Sequence, residues 1–160
     1  MRTSSRCSGP ELSPPAVATD VLGFTIETLA AVRGFVIRRA LLAGMNPTRT
    51  ADLALAVWEV ARDSAIRGGG PGQLRVWCED SAFVCEVSDT RRITDPLVGR
   101  IPPTQVVDDP RGAWLSDDQV NRLVSTSEQR DGAWLANQLC DLVQVRSPQR
   151  GSVVRISSWI

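Results

Sequence analysis

Residues 73–89, QLRVWCEDSAFVCEVSD, alternate so that one strand pairing satisfies both faces at once. Leu74, Val76 and Cys78 point one way, and Arg75 and Trp77 the other. On the return, Phe83, Cys85 and Val87 alternate against Val84 and Glu86. With a turn centred on Asp80-Ser81, Val76 faces Cys85, Cys78 faces Phe83 and Leu74 faces Val87 on one side. On the opposite side Arg75 meets Glu86, an opposite-charge cross-strand pair. A hairpin with one register follows, and it makes Cys78 and Cys85 small core residues rather than directly opposed disulfide partners.

Two helices are expected before the hairpin. Residues 27–43, ETLAAVRGFVIRRALLA, place Leu29, Val32, Val36, Ala40 and Leu41 at helical spacing, with Arg33, Arg38 and Arg39 largely off that stripe. Gly44 ends this helix, and Asn46-Pro47 supplies an N-cap followed by proline at the first helical position. The second helix runs from Pro47 to Arg67, where Gly68, Gly69 and Gly70 stop it.

After the hairpin, residues 90–130 are rich in Pro, Asp, Arg and Ser. They read as an excursion or lid, with a short helix near Ser116–Val124. Order returns in GAWLANQLCDLVQ, where Trp134, Leu135, Leu139, Leu142 and Val143 are consistent with a helix. A final hairpin follows, Val143–Ser147 and Ser152–Ser158, across PQRG. The pentapeptide RGAWL at 111–115 recurs as DGAWL at 131–135. Duplication and chance explain it equally well. Helices and hairpins in this order predict an α/β (α+β) two-layer sandwich, a mixed, mostly antiparallel sheet with helices on one face.

Composition narrows the function classes. The 160 residues carry 18 basic and 18 acidic side chains, without the basic footprint of a nucleic-acid binder. There is no histidine, and the cysteines Cys7, Cys78, Cys85 and Cys140 lack CxxC spacing, so a zinc site and Ser-His-Asp or Cys-His catalysis are not expected. No run approaches the roughly 20 apolar residues of a membrane span. The N-terminus has Arg2 and Arg6 but no apolar region behind them, and residues 1–19 read as a flexible lead-in to a domain at 20–160. A reduced, cytoplasmic protein is the expectation.

The second helix carries an unusual pair. Glu59 and Asp63 are four residues apart, hence neighbours, on a run of otherwise apolar character. A solvated charge ladder, Glu59 with Arg62 and Asp63 with Arg67, is one reading. The apolar neighbours Leu55, Ala56, Val60 and Ala65, with glycines following, favour a pocket edge.

LALAVWEVARDSAIRGGG, then LRVWCEDSAFVCEVSD, GAWLANQLCDLVQVRS and GSVVRIS resemble, in order, the ATP-binding domain of bacterial anti-sigma regulatory factors. These are serine protein kinases of the GHKL (Bergerat-fold) ATPase superfamily. The likeness covers roughly residues 20–160 apart from 100–128. It implies that Glu59 is the general base of an E-x-x-x-N box, with Asp63 where the family's Mg²⁺-binding Asn stands. A hard cation accepts a carboxylate, yet the added charge sits beside a triphosphate, so tighter metal binding and nucleotide repulsion are both open.

The resemblance also implies that Asp89 accepts the adenine amino group, in place of the Asp of D-x-G-x-G, and that Ser152 lies near the adenine. Arg67, Arg91, Ile93 and Gly132 complete the implied nucleotide-binding set. The family's glycines are replaced in Asp89-Thr90-Arg91-Arg92-Ile93, and the glycine-rich lid keeps only Gly132. Arg91 or Arg92 offers a guanidinium to phosphate, or is a solvated loop arginine. Asp131 is a good N-cap for the following helix, and a carboxylate there competes with phosphate. The implied cofactors are ATP and Mg²⁺. The implied partners are a sigma factor and an anti-anti-sigma (STAS-type) protein, with a homodimer left open. The alternative is a pseudokinase, a protein-binding module without ATP turnover.

Overall fold

The computed structural model describes residues 4–6, 12–67, 70–90, 131–146 and 151–160. In chain order these form β1 (Ser4–Arg6), β2 (Asp20–Phe24), α1 (Ala30–Leu42), α2 (Pro47–Arg67), β3 (Gly72–Glu79), β4 (Ala82–Asp89), α3 (Asp131–Leu139), β5 (Leu142–Arg146) and β6 (Ser152–Trp159). The strands make one six-stranded sheet in the order β1-β5-β6-β4-β3-β2. β1 runs parallel to β5 and every other neighbouring pair is antiparallel. The molecule is thus a mixed α/β structure of the α+β kind.

The central hairpin has the expected register, with Leu74 opposite Val87, Arg75 opposite Glu86, Val76 opposite Cys85 and Cys78 opposite Phe83. Asp80 and Ser81 both have positive φ, 49° and 62°, the conformation a two-residue hairpin turn demands. The register places Leu74, Val76, Cys85, Val87, Val154, Ile156, Val143 and Val145 in one core with the buried residues of all three helices. The helices therefore share one face of the sheet. Cys78 departs from expectation. It points to the helix side but is exposed, two residues before the turn.

Helix α1 buries Val32, Val36 and Ala40, with Leu29 buried just before it. Leu41, expected on the same stripe, is 46% exposed. It follows Ala40 by one residue, a rotation of about 100° that carries it off the buried face. Gly44 ends the helix at φ 88°, and Asn46 Oδ1 accepts the Thr48 amide at 2.8 Å, capping α2 ahead of Pro47.

Helix α3 is shorter than the expected run, because Leu142 and Val143 belong to β5. It buries Gly132, Ala136 and Asn137, with Cys140 buried just past its end, whereas Trp134, Leu135 and Leu139 are half-buried. Small residues at four-residue spacing let α3 lie close against α2. The short helix expected near Ser116–Val124 and the first copy of the repeated pentapeptide fall outside the described residues.

The face away from the helices is partly covered. Trp77, Ala82 and Val84 form a second small cluster there. Pairing aligns Arg75, Glu86 and Arg155 side by side across three strands. Glu86 is 2% exposed and holds both arginines, Arg75 through Oε1 and Arg155 through Oε2, the latter at 2.6 Å from Nη2. The Arg155 guanidinium also lies 5.1 Å from the Trp77 ring centroid and donates to the Ser13 carbonyl oxygen at 2.9 Å. The lead-in is thereby tied to the sheet at Ser13, and its residues Ser4–Arg6 supply the edge strand β1.

Candidate functional site

Asp89 closes β4 and Ser152 opens β6, and the pairing sets them opposite one another. The Ser152 hydroxyl donates to Asp89 Oδ1 at 2.7 Å, and Ser152 is buried. Gly151, immediately before it, has φ 85°, and a Cβ there would overlap the Asp89 carbonyl oxygen. This backbone can approach Asp89 only as glycine. A carboxylate is an acceptor-only group, the kind that matches an N–H donor such as the exocyclic amine of a nucleobase.

The second group lies where α2 meets the start of α3. Glu59 Oε2 is 3.7 Å from Arg62 Nη1, and both side chains are partly exposed. This much of the charge-ladder reading is present. Asp63 is 9% exposed, and its Oδ2 accepts the Gly132 amide at 3.1 Å in a buried hydrogen bond. A Cβ on Gly132 would come 2.6 Å from that oxygen and 3.0 Å from the Glu59 carbonyl oxygen. Glu59, Asp63 and Gly132, 69 residues apart in the case of the hydrogen-bonded pair, thus border one spot.

Both groups belong to the same end of the molecule. Arg67 ends α2 five residues before Gly72 opens β3, a span of at most about 18 Å. Gln73 is paired with Ser88, next to Asp89. Arg67 is half-buried at this end, while Arg91 and Ile93 lie outside the described residues.

Two features here were not anticipated from sequence. The first is Gly151, whose signal is a lone glycine directly before a strand. The second is Ser64, whose hydroxyl is buried in α2 with no hydrogen-bond partner among the described residues. Nothing in the sequence marks it, because a serine one residue after Asp63 looks like part of the polar face. Among the described residues no group of three His, Cys, Asp or Glu side chains is placed to hold a metal ion, and no helix is long and apolar enough to cross a membrane.

Neither a protein-family model nor a curated protein matches this sequence.

Proposed function

We propose that this chain is an anti-sigma-factor-like regulatory domain of the GHKL type, acting by binding protein partners and keeping an adenine-recognising end. The observation that carries the reading is the Asp89–Ser152 hydrogen bond. Two residues 63 positions apart, assigned to the adenine by resemblance alone, are in contact at one end of the sheet, Ser152 buried and Asp89 half-buried. A sigma factor and a STAS-type antagonist are the partners that go with this reading, and a cytoplasmic setting goes with them.

The metal–phosphate end does not fit its expected occupant. Mg²⁺ on a nucleotide takes one or two carboxylates together with phosphate oxygens and water. Asp63 Oδ2 already accepts the Gly132 amide, and its charge stands at the helix end that a phosphate would need. Glu59 pairs with Arg62. No phosphoryl-transfer step is derived for this site, and the pseudokinase form of the reading is the one this geometry favours.

Calorimetric titration of the full chain with adenosine and with ATP–Mg²⁺, using Asp89→Asn as control, tests the adenine end. Adenosine binding that Asp89→Asn abolishes is the expected result. Silence with both ligands at millimolar concentration would sink it. The partner half is tested by two-hybrid pairing against the sigma factors and STAS proteins of the source genome, where the absence of any pair counts against it. Phosphate transfer to an antagonist serine, lost in Glu59→Ala, would favour an active serine kinase instead.

A further inference from the structure

We infer that Asp63 is a built-in anion for the N-terminus of α3, so that this helix end is filled by the protein itself and is closed to phosphate groups. The inference stands on the α2–α3 junction and is independent of what Asp89 recognises. The first amides of any helix lack intrahelical acceptors, and the aligned peptide dipoles give that end a partial positive charge. An anion placed there is stabilised, which is why helix N-termini so often hold phosphate. In α3 the acceptor comes from a different helix: Asp63 Oδ2 takes the Gly132 amide at 3.1 Å.

Three observations show that the contact is built rather than incidental. Asp63 is 9% exposed and Gly132 is buried, so the charge and the amide meet away from bulk water. Gly132 is the residue type the contact requires, since a Cβ would stand 2.6 Å from Asp63 Oδ2 and 3.0 Å from the Glu59 carbonyl oxygen. Beyond Gly132, the buried Ala136 and Cys140 continue the close approach of α3 to α2 by keeping side chains small along the same line. The carboxylate therefore latches two helices and presents a fixed negative charge at the spot where an incoming polyphosphate would dock. A phosphate would have to displace it and then remain beside it.

The test uses the full-length chain and inorganic tripolyphosphate, which carries the charge of the phosphate tail without a base. Asp63→Asn keeps an oxygen that accepts the Gly132 amide but removes the charge. The wild type is expected to show no saturable tripolyphosphate binding and an unmoved thermal midpoint. Asp63→Asn is expected to bind it at least about tenfold more tightly than the wild type, with a raised midpoint. Equal binding by the two proteins, or no gain in Asp63→Asn, overturns the inference.

If Asp63→Asn fails to fold, amide exchange on the wild type decides. Protection of the Gly132 amide that tripolyphosphate leaves unchanged supports the latch. An unprotected amide, or one whose exchange tripolyphosphate slows, overturns it. Adenosine titrated in parallel keeps the readings separate, because its failure to bind counts against the adenine end and leaves the latch result standing.

Discussion

Gly151 and Asp89 approach so closely that no side chain fits between them: a Cβ on Gly151 would overlap the Asp89 carbonyl oxygen, and the backbone there has φ 85°. Gly151→Ala is therefore expected to destabilise the fold by about 2–3 kcal/mol, from the strained φ and the displaced backbone together. Gly23, in β2, has nothing within 4 Å of its Cβ position. Gly23→Ala should be neutral or stabilising by up to about 1 kcal/mol. Urea unfolding of the two variants measures the contrast, and equal effects would contradict the geometry.

Glu86 is buried between two arginines on the face away from the helices. Removing it strands both cations, so Glu86→Ala should cost about 3–5 kcal/mol in urea unfolding. Glu86→Gln keeps an acceptor and should cost less, about 1–3 kcal/mol. A loss under about 1 kcal/mol for Glu86→Ala would show that water, rather than Glu86, solvates Arg75 and Arg155.

The hydroxyls of Thr50 and Ser64 are buried in α2 without partners among the described residues. A buried hydroxyl that makes no hydrogen bond retains its desolvation cost, so deleting it gives stability back. Ser64→Ala and Thr50→Val should each be neutral or raise stability by about 1 kcal/mol in thermal unfolding. A loss beyond about 1 kcal/mol would mean that the hydroxyl is satisfied in solution.

Burial pushes the Cys140 thiol up to about 11 and raises Cys85 well above the ordinary thiol range. The chain has no lysine, tyrosine or histidine, so little else titrates in that window. A raised folded pKa leaves its stability intact below the unfolded value and loses it as pH climbs towards the folded one. Stability should therefore hold up to about pH 9 and fall between about 9 and 11, Cys140 alone accounting for about 2–3 kcal/mol. Equilibrium unfolding across this range tests it, with a shallower fall expected in Cys140→Ala.

The hairpin register was legible because two independent signals, apolar alternation and the Arg75–Glu86 pair, agree on one alignment. The Asn46-Pro47 cap and the Gly44 stop were legible because their cause is local backbone geometry. The face of α3 was not legible in this way. Trp134, Leu135 and Leu139 form the more hydrophobic side, yet the helix buries Gly132, Ala136 and Asn137, with Cys140 just past its end. Close approach to α2 selects for small volume over apolar area, and sequence periodicity reports only the latter.

The candidate site divides along the same line. Sequence by itself determined which residue types are available at each position: Glu59 and Asp63 one turn apart, a carboxylate ending one strand, a serine opening another, a glycine before a helix. Those are properties of short windows, fixed by spacing and by what each backbone conformation tolerates. Only the tertiary structure decided which of them meet. It paired Asp89 with Ser152 and made Asp63 the acceptor for the Gly132 amide, 69 residues away. Hydrogen bonds of that separation depend on how α2, α3 and the sheet close on a shared core, and the packing of the whole chain sets that.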